Sequence, residues 1–492
     1  MTVQATVDSL LGPGARGDDR TALVYKGGEC SFAELCAASA GLARRLDSAA
    51  GPLAGAPVAI VAPNSPALVV GLLAAWEAGA VAVPLSARLR EYELARILAD
   101  AEPAAVVSVE AHGGYSFGPL LAPMDVVSLI VDDRGGVQEE HRARSRPAGE
   151  PLASEIGAIL YTSGTTGAPK GALVPHACVL QEARELAGVL DLGPEDVSAL
   201  VIPGSHAFGL ACLLAALGAG GRALLVESTF SLDPLLGAMA ETGAGVLHGS
   251  PALFAGLLKA RPDGVPGLRA GLVGGASCRP QLIERLDDLG MTLLNVYGMT
   301  ELGAAACCRP GDPAEARYTT SGQPLPGYEF RTVDGEVQVR GPYVTPGYHR
   351  AADATAAAFD DGWFRTGDLG ELDGDGRVRI LGRAKEVVNV GGFNVFPAEV
   401  EGFLLTHPDV AQAAVVGVPN ERMGEALSAF VVSRPGSSLT PDELRRFARG
   451  RIAGYKVPYA VELVPELPLL SSGKPDRQAL AERAAAGEPV HA

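Results

Sequence analysis

The pattern of hydrophobic and polar positions divides the first 131 residues into short apolar runs and longer stretches rich in alanine and leucine. The short runs predict strands at 58–61, 81–84, 106–109 and 126–131. The longer stretches predict helices at 32–46, 66–78 and 91–101. This alternation predicts parallel sheets covered by helices, because parallel strands are buried on both faces and need long crossovers between them.

A second alternating region follows a polar connection at 135–151. It predicts strands near 200–202, 223–226, 245–247, 271–273 and 292–295. From about Gly322 to Leu381 the apolar runs are short and divided by glycine and proline, which predicts a small β-barrel. After Arg383 the pattern predicts helices at 397–405 and 441–451 and strands at 410–418 and 427–433.

The predicted fold class is therefore α/β. We expect a large N-terminal domain of two helix-covered sheets plus a small β-barrel, followed by a small α+β C-terminal domain. The expected boundaries are 1–383 and 384–492. A chain of 492 residues exceeds a single hydrophobic core, and a prior of about 150 residues per domain gives about three folding units.

Charge and cysteine content narrow the classes of partner and compartment. Lys and Arg number 40 against 57 Asp and Glu, and the net charge of −17 disfavours nucleic acid as a partner. The seven cysteines show no Cys-x-x-Cys spacing and are expected to be reduced thiols. The N-terminus lacks a basic segment leading into a long apolar run, and the apolar stretch 67–85 is broken by Glu77. We expect a cytoplasmic protein without integral membrane association.

Residues 161–171, Tyr-Thr-Ser-Gly-Thr-Thr-Gly-Ala-Pro-Lys-Gly, concentrate glycines, hydroxyls and one ammonium in a single segment. Glycine lets the backbone approach an anion, the hydroxyls donate hydrogen bonds, and the lysine adds a mobile charge. The order differs from the Walker pattern, in which Gly-Lys-Ser/Thr opens a helix. Composition alone leaves two interpretations, a nucleotide loop or an unliganded surface loop.

The same segment resembles the phosphate loop of the adenylate-forming superfamily, which includes acyl-CoA and aryl-CoA synthetases, adenylation domains of peptide synthetases and beetle luciferases. Further motifs that resemble this family follow in the family's order over essentially the whole chain. They are Ile-Pro-Gly-Ser-His-Ala-Phe-Gly at 202–209, Tyr-Gly-Met-Thr-Glu at 297–301, Trp-Phe-Arg-Thr-Gly-Asp at 363–368, Leu-Gly-Arg-Ala-Lys at 381–385, Gly-Gly-Phe-Asn-Val-Phe-Pro-Ala-Glu-Val-Glu at 391–401 and Ser-Gly-Lys at 472–474. The resemblance implies ATP-dependent activation of a carboxylate through an acyl-adenylate.

The resemblance implies ATP, Mg²⁺ and either coenzyme A or a phosphopantetheinyl carrier as cofactors, with a small carboxylic acid as substrate. The residues implied in cofactor binding are Thr162, Ser163, Gly164, Thr165, Thr166, Gly167, Lys170, Gly275, Ala276, Asn295, Tyr297, Gly298, Asp368, Arg383, Gly391 and Gly392. Among them, Tyr297 is expected against adenine. Asp368 is expected to accept hydrogen bonds from both ribose hydroxyls, as an acceptor-only carboxylate can.

The residues implied in catalysis are Lys474, Glu301, Thr300 and His206. The resemblance places Lys474 between the substrate carboxylate and the α-phosphate, where an ammonium offsets the charge of both groups. It places Thr300 at the α-phosphate and Glu301 at the metal, and an oxygen ligand suits hard Mg²⁺. His206 is expected beside the acyl-adenylate or, alternatively, as a structural residue that only plugs the pocket.

Lys385 lies at the position that resembles the family's hinge, where aspartate or lysine is usual. The residue after it is Glu386, whereas aspartate is commoner at that second position. Rotation at this point would make the C-terminal domain mobile. The domain would present first Lys474 and then the Gly391–Gly392 loop to one active site. The resemblance therefore implies that one small domain serves two half-reactions in turn.

The expected acyl pocket is small-sided and largely apolar, with a lining of Ala207, Phe208, Leu210, Ser250, Leu253, Gly274, Asn295, Ala304 and Ala305. Relatives that activate amino acids need an aspartate shortly after the His206 position, and residues 207–216 contain no acid. Relatives that activate dicarboxylates place an arginine just before the position of Tyr297, where Asn295 and Val296 stand. An uncharged aliphatic or aromatic acid is expected by exclusion.

Three functions remain open on the sequence alone. The first is an acyl-CoA ligase, which the segment 391–401 favours. The second is a freestanding adenylating enzyme that loads a carrier protein, since it would share every ATP-binding residue. The third is a luciferase-like or non-catalytic binder of acyl-adenylates, which the presence of Lys474 and Glu301 disfavours.

Overall fold

The structure is a computed structural model that describes residues 6–124, 126–141, 151–163, 169–227, 232–275, 278, 280–383, 387–395, 397–468 and 477–486. The chain forms two compact units. The first contains Met1–Ala87, Ile97–Tyr161 and Gly171–Gly382, and the second contains Arg88–Arg96, Thr162–Lys170 and Arg383–Ala492.

The elements up to residue 141 alternate strands with helices as the hydrophobic pattern predicts. In chain order they are α1 (Val7–Leu11), β1 (Thr21–Tyr25), β2 (Gly28–Ser31), α2 (Phe32–Ala50), β3 (Pro57–Ala62), α3 (Pro66–Glu77), β4 (Val81–Ser86), α4 (Glu91–Ala101), β5 (Ala105–Val109), β6 (Ala111–His112), β7 (Tyr115–Ser116), α5 (Gly118–Leu121), β8 (Val127–Val131) and β9 (Val137–His141). A 3₁₀ turn covers Ala15–Gly17.

The next region carries most of the candidate site. Its elements are β10 (Ile156–Ser163), β11 (Pro169–Pro175), α6 (His176–Val189), β12 (Val197–Leu200), α7 (Ala207–Gly218), β13 (Arg222–Leu225), α8 (Leu232–Thr242), β14 (Val246–Leu247), α9 (Pro251–Ala260), β15 (Ala270–Val273), α10 (Pro280–Asp288), β16 (Thr292–Met299), β17 (Gly303–Cys307), α11 (Ala314–Thr319) and β18 (Gln323–Pro324).

The remaining elements form two smaller groups. The first comprises β19 (Glu329–Val333), β20 (Glu336–Arg340), α12 (Ala352–Ala358), β21 (Phe359–Asp360), β22 (Trp363–Leu372) and β23 (Val378–Arg383). The second comprises β24 (Val388–Val390), β25 (Phe393–Val395), α13 (Pro397–Leu404), β26 (Val410–Asn420), β27 (Gly424–Ser433), α14 (Pro441–Ala448), a 3₁₀ turn at Gly454–Lys456, β28 (Ala460–Leu463) and α15 (Arg477–Ala486).

Two large sheets organise the first unit. One has seven strands in the order β11-β10-β4-β3-β5-β8-β9, and the pairs formed by β4 with β10, by β3 with β4 and β5, and by β5 with β8 are parallel. The other has nine strands in the order β18-β17-β16-β15-β14-β12-β13-β1-β2, with a parallel centre from β16 to β1. Both predicted α/β regions are therefore present as sheets.

The helices beside these sheets begin at residues with a physical reason to start a helix. Ser31 caps α2, because its hydroxyl accepts from the N–H of Glu34 while the Glu34 carboxylate accepts from the N–H of Ser31. Pro66 opens α3 at a position where a missing N–H costs nothing. Almost every residue of α3 is buried, as expected for the most apolar helical stretch of the sequence.

The glycine- and proline-divided region forms a five-stranded antiparallel sheet. Its order is β19-β20-β22-β21, with β23 paired to β22. In β22, alternate residues are buried and exposed, which is typical of a sheet with one covered face. The sequence predicts a small β-barrel in this region. Among the described residues, its strands pair as a five-stranded sheet.

The second unit has its own sheet and its own hydrophobic core. The strand order is β25-β24-β27-β26, with β28 parallel to β27. Its core includes Val395, Phe403, Leu427 and Leu444. The predicted helix 441–451 ends earlier, at Ala448, where Arg449 turns into an extended conformation.

No described helix is long and apolar enough to cross a membrane. All seven cysteines lie among the described residues, and none of them forms a disulfide.

Candidate active site

Glu301 lies at the tip of the hairpin formed by β16 and β17. The strand predicted near 292–295 continues in β16 through Tyr297, Gly298 and Met299, and the turn begins at Thr300. Glu301 is 6% exposed. One carboxylate oxygen accepts a hydrogen bond from the Tyr348 hydroxyl at 2.8 Å, and the Glu301 carbonyl accepts from the N–H of Thr345 at 2.7 Å.

Tyr348 is a site residue that the motifs do not reveal. Burial, together with the charge of Glu301, raises the pKa of its phenol well above the usual value of 10. The hydroxyl therefore stays protonated and donates to the carboxylate. A charge-assisted hydrogen bond of this kind fixes the orientation of the Glu301 carboxylate.

Glu182 of α6 and Tyr328 form hydrogen bonds that hold the backbone of this hairpin in position. Glu182 is fully buried and accepts from the N–H of Ala304 at 3.1 Å, while the Tyr328 hydroxyl donates to the carbonyl of Leu302. Burial raises the pKa of Glu182 to about 8. Gly303 has φ +63°, and a β-carbon there would lie 2.6 Å from a Glu182 carboxylate oxygen. The backbone on both sides of Glu301 is therefore tightly positioned.

Tyr297 and Asp368, both predicted to bind the nucleoside, lie in contact. The Tyr297 hydroxyl donates to an Asp368 carboxylate oxygen at 2.7 Å, and Asp368 is 4% exposed. The N–H of Asp368 donates to the Thr366 hydroxyl at 3.0 Å, and that hydroxyl donates to the Val337 carbonyl at 2.6 Å. Asp368 lies within β22. The pair joins the end of the nine-stranded sheet to the five-stranded sheet.

The loop between β12 and α7 carries His206 and is braced by Asn64. The Asn64 amide donates to the carbonyls of Leu200 at 3.1 Å and Ile202 at 2.9 Å, and its oxygen accepts from the N–H of Gly204 at 2.8 Å. His206 caps α7, since its Nδ1 accepts from the N–H of Phe208 at 3.4 Å. His206 is an exposed residue of this loop, and its two predicted roles, beside the acyl-adenylate or as a plug of the pocket, both remain predictions.

The expected acyl-pocket residues fall on two faces of the nine-stranded sheet. Phe208 lies over Gly274, because a β-carbon at Gly274 would be 3.5 Å from the Phe208 ring and 2.9 Å from Val296. Leu253, in contrast, packs against the hydrophobic core on the opposite face. The Ser250 hydroxyl caps α9 by accepting from the N–H of Leu253 at 3.4 Å.

The other predicted lining residues are placed as follows. Ala207 and Leu210 are buried in α7, and Ala304 and Ala305 are buried in β17. The Asn295 amide donates to the carbonyls of Arg317 at 3.2 Å and Thr320 at 3.0 Å, so its donor group holds α11 in place. Gly275 has φ +79° and Gly298 lies against the backbone of Gly303, both consistent with a need for glycine.

In the second unit, Gly391 and Gly392 form the two-residue loop of a hairpin between Val390 and Phe393. Their φ values are +60° and +90°, as a type I′ turn requires. The Gly391 N–H donates to the Met423 carbonyl at 2.8 Å, and the Gly392 N–H donates to the Asn389 side chain at 2.9 Å. The Phe393 ring stacks on that of Tyr455 with centroids 4.1 Å apart.

The ends of the phosphate loop are also described. The Thr162 hydroxyl donates to the Lys170 carbonyl at 3.5 Å, which draws the two ends of the loop together. Several predicted positions lie outside the residues that the structure describes. They are Gly164, Thr165, Thr166, Gly167, Ala276, Lys385 and Lys474, together with the side chains of Ser163 and Arg383.

The chain matches the family model described as AMP-binding enzyme over residues 13–349 and that described as AMP-binding enzyme C-terminal domain over residues 399–474. It is 37% identical to a 7a-methyl-1,5-dioxo-octahydro-1H-inden-4-yl propanoyl:CoA ligase of Mycobacterium tuberculosis over 506 aligned positions, which cover 98% of each chain. It is 34% identical to a feruloyl-CoA synthase of an Amycolatopsis species over 475 positions, which cover 92% of this chain and 94% of the relative.

Among solved structures, the amide bond synthetase McbA from Marinactinospora thermotolerans matches with a TM-score of 0.85 at 29% identity, covering 97% of this chain and 99% of that chain. The mixed α/β fold with a large N-terminal and a small C-terminal domain is thus confirmed. The CoA-forming relatives extend over nearly the full chain, which confirms an acid–thiol ligase that uses ATP and coenzyme A. The chain belongs to the AMP-binding enzyme family.

Proposed function

We propose that this acyl-CoA ligase activates an acid that is uncharged apart from its reacting carboxylate, and that Tyr297, Asp368, Glu301 and Lys474 carry the first half-reaction. In that step a carboxylate oxygen attacks the α-phosphorus of ATP and pyrophosphate leaves. In the second step the sulfur of coenzyme A attacks the acyl carbon and AMP leaves. The contact between Tyr297 and Asp368 is the observation on which the assignment of the nucleoside site rests.

The same contact supports the proposed position of the nucleoside. The Tyr297 hydroxyl donates to one Asp368 carboxylate oxygen, and an ionised carboxylate, which only accepts hydrogen bonds, suits ribose hydroxyls as donors. The Tyr297 ring is held at its hydroxyl end and lies 6.2 Å from the Phe330 ring, which restricts its orientation. A fixed aromatic face beside a fixed carboxylate suits a base and its ribose.

Glu301 fits a role as a Mg²⁺ ligand. No cluster of three or more His, Cys, Asp or Glu side chains suited to a metal is found among the described residues. A hard cation here would be held by the Glu301 carboxylate, and the phosphate oxygens of ATP would supply further oxygen ligands. When bound, the cation neutralises phosphate charge, while Tyr348 holds the carboxylate in one orientation.

The substrate class is supported by what the loop after His206 lacks. Residues 207–216 contain no acidic side chain to pair with an ammonium, and α7 is buried along nearly its whole length. The named acids of the two CoA-forming relatives are a bicyclic propanoate and ferulate, both bulky and each carrying one carboxylate. A ring-containing or branched monocarboxylic acid is the best match for these features.

The proposed compartment is the cytoplasm, because the seven cysteines are free thiols and reduced thiols are typical of that compartment.

Acid-dependent exchange of labelled pyrophosphate into ATP, measured over a broad panel of carboxylic acids, tests the first half-reaction. We expect exchange with uncharged ring-containing acids, little with amino acids or dicarboxylates, and a raised KM for ATP in the Asp368→Asn variant. Exchange confined to amino acids, or an unchanged KM for ATP in that variant, would refute these assignments.

The acceptor needs a separate measurement. Purified enzyme, ATP and the best acid are incubated with coenzyme A, with a phosphopantetheinylated carrier protein or with a simple amine, and the products are weighed by mass spectrometry. The acyl-CoA is expected to form fastest. A faster carrier thioester would instead support the carrier-loading alternative, and a faster amide would relate the chain functionally to the amide bond synthetase.

A further inference from the structure

His248 is a buried histidine whose ring has no hydrogen-bond partner. It is 1% exposed, and neither Nδ1 nor Nε2 forms a hydrogen bond with any part of the chain that the structure describes. Buried polar atoms in proteins nearly always have a hydrogen-bond partner. Burial removes their hydrogen bonds to water, and leaving those bonds unreplaced costs free energy. An imidazole with both nitrogens unpaired therefore calls for a partner.

The residue stands at the carboxyl edge of the nine-stranded sheet. It follows directly after β14, which pairs in parallel with β12 on one side and β15 on the other. Gly249 still bridges to Val273, and its N–H donates to the Leu272 carbonyl at 3.0 Å, so the backbone is extended through position 248. Ligands of parallel α/β sheets bind outside this carboxyl edge.

Strand alternation places His248 on the α7 face of the sheet. Leu247 and Val273 belong to the hydrophobic core on the other face, together with Phe254 of α9 and Leu286 of α10. Successive side chains of an extended strand point to opposite faces, so His248 projects away from that core.

Phe208, the second residue of α7, lies over Gly274 on the face to which His248 projects. Gly274 follows Val273 directly, and its N–H donates to the Gly249 carbonyl at 3.3 Å. The orphaned imidazole and the aromatic wall of the expected acyl pocket therefore share one face and one edge of the sheet.

We propose that His248 is a specificity-determining residue of the acyl pocket, where its imidazole hydrogen-bonds to a ketone, ether or hydroxyl oxygen carried by the acid apart from its carboxylate. The inference rests on the proposed function and narrows its substrate class from uncharged acids to oxygenated ones. A hydrocarbon acid of the same shape would leave the ring nitrogens unpaired.

The chemistry of the ring fits such a group. Burial lowers the pKa of His248 to about 4, so the imidazole is neutral at physiological pH. A neutral imidazole has one N–H donor and one nitrogen acceptor, and can therefore donate to a ketone or accept from a hydroxyl. Being neutral, it gives no advantage to a second carboxylate. The pairing is expected to favour the oxygenated acid by about 10- to 100-fold in kcat/KM.

The test uses matched pairs of acids in pyrophosphate exchange with the intact enzyme. One pair is 3-(4-oxocyclohexyl)propanoate and 3-cyclohexylpropanoate, and the other is 4-hydroxycinnamate and cinnamate. In the unaltered enzyme we expect kcat/KM to favour the oxygenated member of at least one pair by about tenfold or more. His248→Phe should bring that ratio to about one, chiefly by lowering kcat/KM for the oxygenated acid. His248→Gln, which keeps a donor and an acceptor, should retain part of the preference.

Equal kcat/KM for both members of each pair in the unaltered enzyme would overturn the inference without any variant. An equal loss on both members in His248→Phe would also overturn it, because a purely structural histidine affects all acids alike. Exchange with no acid of any kind would instead refute the proposed function and the inference with it. Exchange with acids that ignores their oxygen content refutes the inference alone.

Discussion

At the scale of single residues, the hydroxyl of Tyr348 is expected to matter for metal use. Tyr348→Phe removes the donor at 2.8 Å from Glu301 and leaves that carboxylate without this restraint. A hydrogen bond to a charged group contributes about 1.5–3 kcal/mol, so kcat for adenylation should fall by roughly 10- to 100-fold. The Mg²⁺ concentration for half-maximal exchange should rise.

The control is Tyr459→Phe, since Tyr459 is exposed in the second unit. That variant should retain the exchange rate and the Mg²⁺ dependence of the unaltered enzyme. A Tyr348→Phe enzyme with an unchanged Mg²⁺ titration would show that the contact with Glu301 is not used in catalysis.

Glu182 gives a second prediction at this scale, concerning pH and stability. Its pKa is raised to about 8 in the folded chain against 4.5 for an ordinary glutamate, so between these values the unfolded chain has lost a proton that the folded chain retains. Stability must then fall as pH rises through this window. Glu182→Gln can still accept from Ala304 but cannot ionise. The melting temperature of the variant minus that of the unaltered enzyme should therefore be several degrees larger at pH 8 than at pH 5.

Glu185→Gln is the matched control, because Glu185 lies on the same helix and is not buried. Its melting temperature should follow that of the unaltered enzyme across the range. If the Glu182→Gln curve also runs parallel to the unaltered one, the raised pKa of Glu182 does not contribute to stability.

The sequence identifies some of these residues and misses others for a simple reason. Tyr297, Glu301 and Asp368 belong to motifs whose resemblance to a family assigns them a role. Tyr348 lies 47 residues from Glu301, and Glu182 lies 122 residues from its partner Ala304. Because Tyr348 and Glu182 lie outside any motif, the neighbouring sequence does not predict their roles. Their contact residues are known only from the folded structure.

At the scale of elements, the turn between β16 and β17 depends on Gly303. Gly303→Ala introduces a β-carbon at φ +63°, 2.6 Å from a Glu182 oxygen and 2.8 Å from the Cys178 sulfur. The left-handed conformation alone costs an alanine about 1–2 kcal/mol, and the overlap adds to this. We expect the melting temperature to fall by several degrees and adenylation to weaken, because Glu301 is displaced with the hairpin.

Gly188→Ala provides the comparison. Gly188 lies within α6, and no atom of the described chain is within 4 Å of the β-carbon that alanine would add. Alanine is favoured over glycine inside a helix, so this variant should be neutral or slightly stabilising. If the Gly303→Ala variant has the same melting temperature as the unaltered enzyme, the hairpin tolerates the added β-carbon by rearranging.

Elements with strong periodicity are well predicted from the sequence. The helix expected at 66–78 is α3 at Pro66–Glu77, and the strand expected at 58–61 is β3 at Pro57–Ala62. The strand predicted near 292–295 is too short, since β16 extends through Tyr297 and Gly298 to Met299. Pairing with β17 across the hairpin keeps these residues extended, and such pairing is a tertiary effect that local propensity does not contain.

At the scale of the whole molecule, a net charge of −17 belongs to an enzyme that must bring a carboxylate and ATP together. The chain must therefore supply cations locally, and Lys474 is the proposed one at the reacting atoms. An ammonium about 4 Å from an oxyanion is worth about 4 kcal/mol at an effective dielectric of about 20, which corresponds to about a thousandfold in rate. Lys474→Ala should lower acyl-adenylate formation by about that factor, measured as pyrophosphate release.

The same variant distinguishes the two half-reactions. Thioester formation from supplied acyl-adenylate and coenzyme A does not require charge neutralisation between two anions at phosphorus, so Lys474→Ala should retain most of it. Lys385→Pro should do the reverse, because proline fixes φ at the proposed hinge and hinders the change from the first half-reaction to the second. If Lys474→Ala lowers both half-reactions equally, the lysine stabilises the fold or binds AMP instead, and the division of labour proposed for the C-terminal domain is wrong.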